Sequence, residues 1–243
     1  DKSKSGDFAF ALFEQVEANG GLYAKNKAFY IPIAKLGDER LHKPLKKLCI
    51  DKNSPTPVAI LGHQETLKAA RVLDAIIKHF KTKYPNVREA ANTGLDRVAD
   101  KMGLTKQALM DEMIPDFGFE NLFKEFDVSG ETHRAYIGLD LKVKFLDELD
   151  NIKKTISSKA SKETKAEFKE INKEIRSLSK GLKQTMETNM VLQRRWSKDA
   201  WWKFFMEKPL PNAMAQSMVW GTYKKNKQVN QFMVTQDQSF EDF

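Results

Sequence analysis

The chain has 243 residues, 41% of them hydrophobic and 30% charged, so it is long enough to bury a core as one large domain or as two smaller ones. No apolar run approaches the roughly 18 residues that a membrane-spanning helix needs, so no membrane span is predicted. Cys49 is the only cysteine, which excludes an internal disulfide and any metal site built from several cysteines, and which fits a reducing, cytoplasmic location.

The positive charge is concentrated in the second part of the chain. Residues 1–150 carry as many acidic as basic residues, so residues 151–243 hold the whole net charge of +8. This asymmetry favours an acidic partner for the second part, although a solvated lysine-rich face has the same composition. The first residues include neither an initiator Met nor a signal peptide, and we expect the chain to be a fragment of a longer protein.

Short amphipathic helices are predicted for the first part of the chain. Asp7 is the predicted N-cap of the first helix, residues 53–57 form a predicted loop, and Thr105 is the predicted cap of the last helix. Each helix is apolar on one side only, so neither helix of a pair buries its face alone. We therefore expect a HEAT-like helical region over residues 1–118. The segments with helical apolar spacing are 8–18, 24–36, 38–50, 64–80, 87–102 and a short stretch after Thr105.

After Ile114 the apolar period changes from helical to strand-like. Residues 132–145 are rich in β-branched and aromatic side chains and partly alternate, which predicts a small antiparallel meander. Alternation places Glu131 and His133 on one side of it, and Arg134 and Tyr136 on the other. This division argues against a catalytic cluster there.

A long helix is predicted over residues 161–190, with Ser161 or Thr164 as its cap. Its apolar residues step by three and four, which is the pattern of a heptad seam. The seam is shorter than the three to four heptads of a confident coiled coil, so packing on the chain's own core is favoured over dimerisation. The seam consists of Phe168, Ile171, Ile175, Leu178, Leu182 and, less regularly, Met186.

The end of the chain is predicted to contain two short helices and a hairpin. The helices cover residues 198–206 and 211–218, and the strands cover residues 218–224 and 228–235. Lys225, Asn226 and Lys227 form the predicted hairpin tip. The fold class predicted from the whole sequence is therefore α+β and mostly helical. A helical region over residues 1–118 is followed by an α+β region over residues 119–243.

Motifs for catalysis, cofactors or metals are not found in the sequence. No two of the four histidines have the spacing of a ligand pair, and no phosphate-binding glycine loop or nucleophile elbow occurs. Cys49 lies between Leu48 and Ile50 and is predicted to be a buried, inert thiol. The sequence therefore predicts no catalytic residue, no cofactor and no metal ligand.

All four tryptophans lie in one stretch with basic residues among them, which makes this stretch the candidate binding region. Trp196 and Trp220 are predicted to be largely buried. Trp201 and Trp202 lie about 100° apart on a helix, so one should anchor the core while the other is partly exposed. Cation–π contacts within a helix junction are favoured here over a nucleic-acid surface. The predicted binding residues are Arg194, Arg195, Trp202, Lys224, Lys225 and Lys227.

Four groups of residues carry a family resemblance: 109–118, Met190 with Arg194-Arg195-Trp196, 208–210 and 218–223. On these residues the chain resembles the DUF4132 domain family, a bacterial and uncharacterised family that includes molybdate metabolism regulator-like proteins. The resemblance runs over most of residues 8–235. Some members carry a nucleic-acid-related WGR module, but Trp220-Gly221-Thr222 is not that motif because the arginine is missing. The resemblance implies no catalytic residue.

Two classes of function follow as hypotheses. The favoured one is a non-catalytic binding or regulatory module whose partner is a protein or the rest of its own full-length chain, with nucleic acid as a further partner to test. The alternative is part of an enzyme whose active site is completed by other regions. A deep pocket holding Arg194 or Arg195 with a carboxylate and a histidine favours the enzyme, whereas a flat basic face favours binding.

Overall fold

Residues 2–22 and 24–242 are described by a computed structural model, in which the chain divides into two units, Asp1–Met113 and Ile114–Phe243. The first unit is helical and the second combines helices with two antiparallel sheets. The predicted α+β class is therefore confirmed. None of the described helices is both long and apolar enough to cross a membrane.

The helices of the first unit surround one apolar core that runs from Phe13 to Met113. Thr66 and Thr105 accept hydrogen bonds from the backbone N–H groups of Ala69 and Ala108, so each caps the helix that follows it. The helices are α1 (Lys2–Ala18), α2 (Tyr30–Leu36), α3 (His42–Lys52), α4 (Thr56–His63), α5 (Leu67–Phe80), α6 (Pro85–Met102) and α7 (Lys106–Glu112), with 3-10 turns at Ala24–Phe29 and Glu39–Leu41.

Two local predictions for this unit are wrong. Asp7 lies inside α1 rather than capping it, and its carboxylate pairs with Arg40 at 2.7 Å. The predicted loop at residues 53–57 ends early, because Thr56 and Pro57 already form the first turn of α4. Proline is tolerated in a first turn, where its missing N–H has no helical partner to lose.

Helix α4 lies at the centre of the unit and approaches α6 very closely. Val58, Ile60 and Leu61 are all fully buried. A Cβ atom placed on Gly62 would lie 2.8 Å from the Cα of Gly94, and one on Gly94 would lie 3.0 Å from the Cα of Gly62. The two helices therefore touch backbone to backbone at this glycine pair.

The thiol of Cys49 on α3 is expected to be unreactive in the folded protein. Cys49 is buried, as predicted, and burial raises the pKa of its thiol to about 11. At pH 8 a thiol with that pKa is only ~0.1% thiolate, against roughly a quarter in the unfolded chain. A disulfide reagent at pH 8 should therefore label the protein completely in guanidinium chloride and hardly at all in buffer. Equal labelling rates in the two conditions would contradict the buried position.

The first sheet of the second unit is larger than predicted. It contains β1 (Lys124–Val128), β2 (Glu131–Ile137), β3 (Val143–Leu146) and β4 (Ile152–Lys153), paired antiparallel in that order. Ser129 and Gly130 form a two-residue turn with positive φ angles between β1 and β2, which suits the twist of a hairpin. The sequence predicted the middle of this sheet and missed the strands β1 and β4.

The long helix α8 (Lys162–Val191) packs its apolar seam into the core of the second unit. Ser161 caps it by accepting from the Thr164 N–H at 3.0 Å. The ring of Phe168 makes edge-to-face contacts with Phe126 at 4.9 Å and Phe145 at 5.2 Å. The seam is thus used inside the unit, as the core interpretation predicted.

The remaining elements form a second sheet with two short helices. They are α9 (Lys198–Phe205), α10 (Pro209–Ala215), β5 (Val219–Lys224), β6 (Lys227–Val234) and β7 (Phe240–Asp242), and the strand order is β5-β6-β7. Lys227 begins β6, so the tip between β5 and β6 is the two-residue turn Lys225-Asn226, in which both φ angles are positive. Strand β7 was not predicted, and α10 begins two residues earlier than predicted, with Pro209 in its first turn.

Candidate binding surface

Helix α9 and the second sheet are joined by an aromatic cluster. Trp201 and Phe205 project from successive turns of one face of α9. The ring of Trp201 lies 5.3 Å from Trp220 and 5.6 Å from Phe232, both edge-to-face. Phe205 is fully buried and lies 5.3 Å from Trp196 and 4.5 Å from Trp220. Most of the tryptophan rings in this region thus pack on other rings.

The two adjacent tryptophans of α9 face different surroundings. Trp201 packs against the core of the second unit, whereas 41% of Trp202 is exposed. The prediction that one of them anchors and the other is partly exposed is therefore confirmed. Trp196 and Trp220 are partly buried and pack against the same core, in keeping with the burial predicted for them. Trp220 lies on the edge strand β5 and donates its indole N–H to the Ala215 carbonyl oxygen at 3.0 Å.

Arg194 and Arg195 each lie over an aromatic ring. The guanidinium carbon of Arg194 is 4.5 Å from the ring centroid of Trp196, and that of Arg195 is 4.1 Å from the centroid of Tyr223. Arg195 also donates to Asn226 Oδ1 at 2.9 Å. This arginine therefore connects the segment between α8 and α9 to the tip of the β5–β6 hairpin.

Three predicted lysines lie on the same hairpin. Lys224, Lys225 and Lys227 are exposed, and none of them forms an ion pair with another residue in the described part of the chain. No aspartate or glutamate occurs in the sequence between Glu207 and Asp237. With Arg195, these lysines form an open basic surface, which we call the basic hairpin face.

Trp202 does not join this face. Its ring contacts Phe240 at 6.1 Å, on the opposite edge strand β7, and it lines a shallow depression with Lys198, Asp199 and Glu207. The predicted residues are thus divided between two places. Arg195 and the lysines meet at the hairpin, while Trp202 lies with side chains of both signs.

A second group of polar side chains lies at the first sheet. One nitrogen of His133 and one carboxylate oxygen each from Glu131 and Glu148 are within 4.8 Å of one another. The sequence placed Glu131 and His133 on the same side of their strand. It did not predict Glu148, because that residue follows β3 and reaches His133 only through strand pairing.

Comparison with known proteins shows that part of the chain is similar to a sequence family. A sequence model of DUF4132, a domain of unknown function, matches residues 150–243, so the predicted resemblance is confirmed there. The chain is also similar to the Uncharacterized protein YehI of Escherichia coli (strain K12), with 23% identity over 233 residues. The match covers 90% of this chain and 19% of YehI, so the chain spans about a fifth of the length of that relative. No solved structure matches the chain.

Proposed function

We propose that this chain, which matches the DUF4132 family over residues 150–243, is a non-catalytic binding module of a cytoplasmic regulatory protein. Its basic hairpin face would dock onto an acidic surface of a protein partner or of another region of its own full-length chain. The observation that carries the proposal is the set of lysines on the hairpin, which have no ion-pair partner among the described residues. The HEAT-like stacking of the helical region stays a prediction, and it would supply a scaffold for such a module.

The clustered lysines of the hairpin do not stabilise the isolated chain, which favours a role in docking. Lys224, Lys225 and Lys227 lie within four residues of one another, and like charges this close repel each other in the isolated chain. An acidic surface would relieve this repulsion and would accelerate association through electrostatic attraction. Arg195 is held over Tyr223, so its guanidinium lies beside the lysines with little further ordering required.

The aromatic contacts favour a protein partner over nucleic acid. Single-stranded nucleic acids bind by stacking bases on free rings. Here Arg195 already covers Tyr223 and Arg194 covers Trp196, while the most exposed tryptophan, Trp202, lies near the opposite strand of the sheet. The enzyme alternative draws no support from Arg195, whose guanidinium lies over Tyr223 and donates to Asn226 at the hairpin tip.

Charge reversal at the hairpin is expected to weaken binding to an acidic ligand. The variant carries Lys224→Glu, Lys225→Glu and Lys227→Glu, and the probe is a fluorescein-labelled polyglutamate peptide followed by anisotropy at ~50–200 mM salt. Reversing three contacts worth about 0.5 kcal/mol each removes attraction and adds repulsion, so the affinity should fall at least ~tenfold. Binding of the unaltered chain should also weaken as the salt concentration rises.

The matched control reverses three exposed lysines of α8, Lys169, Lys180 and Lys183, and therefore changes the net charge equally. It should keep the affinity within about twofold if the hairpin is the docking site. An equal loss in both variants would show that only the net charge matters, and would remove the proposed face. Short DNA and RNA duplexes and single strands serve as second ligands. Tighter binding to one of these than to polyglutamate would replace the protein partner with nucleic acid.

A further inference from the structure

The Glu131–His133–Glu148 group has the composition and spacing of a metal site. His133 Nε2 lies 3.2 Å from Glu148 Oε2 and 4.0 Å from Glu131 Oε2. Two ligands that bind one ion at ~2.1 Å with tetrahedral angles lie roughly 3.4 Å apart. The three atoms therefore need only small side-chain movements to surround a single ion.

The His133 ring is buried but its Nε2 atom has no hydrogen-bond partner among the described residues. The residue is 8% exposed, and the ring packs against Phe126 with centroids 5.7 Å apart. Although Nε2 lies 3.2 Å from Glu148, the two groups are not aligned as a hydrogen bond. Buried polar atoms are usually satisfied, so an unpartnered ring nitrogen directed at two carboxylates requires an explanation. A cation between the three side chains satisfies all of them.

The backbone fixes the positions of all three residues. Glu131 and His133 are two residues apart on β2, so their side chains share one face of the sheet. Glu148 lies in the turn after β3, and the carboxylate of Asp147 holds this turn by accepting from the N–H groups of Leu149 at 3.1 Å and Asn151 at 2.8 Å. Arg134 pairs with Asp150 and attaches the same turn to β2. A site built this way is pre-formed, which lowers the cost of binding an ion.

We infer that Glu131, His133 and Glu148 bind a divalent transition-metal ion of zinc-like chemistry, with room for water at a fourth position. One imidazole nitrogen and two carboxylate oxygens are a mixed donor set. Mg²⁺ and Ca²⁺ prefer oxygen ligands alone, whereas Zn²⁺ accepts both donor types and binds to three protein ligands plus water at open sites. The competing account of this geometry is a direct ion pair between protonated His133 and Glu148, which requires no metal.

The test is a titration of Zn²⁺ into the 243-residue chain, purified without a histidine tag, by isothermal titration calorimetry with Mg²⁺ in excess. We expect one Zn²⁺ per chain. Loss of an outer-shell partner already weakens metal binding ~10–100-fold, so Glu131→Gln and Glu148→Gln should each weaken it at least tenfold. These two glutamates are exposed, so the substitutions should leave the far-UV circular dichroism spectrum unchanged.

Two control variants test whether the binding is local. Glu125→Gln removes an exposed carboxylate from β1 of the same sheet, and His79→Gln removes an exposed imidazole from α5. Both should retain the Zn²⁺ affinity of the unaltered chain. Addition of Zn²⁺ should also shift the ring resonances of His133 in the NMR spectrum, and the same shift should require at least tenfold more Zn²⁺ in Glu148→Gln.

The inference fails if no Zn²⁺ binds above background, or if the control variants lose as much affinity as the two glutamate variants. A His133 ring that responds to Glu148→Gln but not to Zn²⁺ would establish the ion-pair account instead. None of these outcomes depends on the basic hairpin face, because Lys224, Lys225 and Lys227 belong to a different sheet.

Discussion

Replacing Phe205 with alanine is expected to destabilise the second unit by about 3–5 kcal/mol, the range for large aromatic residues in a core. Phe205 is fully buried and contacts the rings of Trp196, Trp201 and Trp220. These rings come from α9, from the segment before it and from β5. They cannot all move into the space that the missing ring leaves, so a cavity should remain and add to the lost burial.

Tryptophan fluorescence during urea unfolding measures this effect selectively. All four tryptophans lie in the second unit, so their emission reports its unfolding. Trp202→Ala is the matched control on the same helix. Because Trp202 is 41% exposed and contacts Phe240, its replacement by alanine should lower the free energy of unfolding by only about 1 kcal/mol. Similar losses for Trp202→Ala and Phe205→Ala would show that the aromatic cluster is not the core of this region.

Gly62→Ala is expected to destabilise the first unit by about 1–3 kcal/mol, the usual cost of forcing an added group into a packed core. Helix propensity alone predicts the opposite sign, because alanine is favoured over glycine by about 1 kcal/mol inside a helix. Packing should prevail because the new methyl group would lie 2.8 Å from the Gly94 Cα atom. A backbone atom cannot rotate away as a side chain can, so α4 and α6 would have to separate.

The Cys49 thiol gives a reporter for this second prediction. It is the only thiol of the chain and is buried in the first unit, so its labelling rate in increasing urea follows the opening of that unit. Ala59→Gly, also in α4, is the control, because it removes a methyl group where Gly62→Ala adds one. It should lower the free energy of unfolding by about 1 kcal/mol, since glycine has a lower helix propensity than alanine. A stabilised Gly62→Ala variant would show that α4 and α6 do not meet at this glycine pair.

The sequence alone was sufficient where one local pattern decides the outcome. The seam of α8 follows from the spacing of its apolar residues, and the cap was predicted to be Ser161 or Thr164, of which the structure uses Ser161. Helix geometry likewise predicts that one of Trp201 and Trp202 packs on the core while the other is exposed, and Trp202 is the exposed one. Arg194 and Arg195, identified beside the tryptophans, do lie over aromatic rings. The basic character of the hairpin is likewise a property of the sequence, because no acidic residue lies near it along the chain.

Only the tertiary structure decided what depends on residues distant in sequence. Only the first turn of α4 was predicted as a loop, because Ser54, Pro55 and Pro57 indicate a turn, and the burial of α4 between other helices outweighs that signal. Strand β7 is three residues long and exists through pairing with β6. Trp202 lies apart from Arg195 because each contacts a different edge strand of the second sheet. Trp202 contacts Phe240 on β7, whereas Arg195 lies over Tyr223 on β5. Glu148 reaches His133 through the pairing of β2 with β3, a long-range contact that periodicity along one segment does not encode.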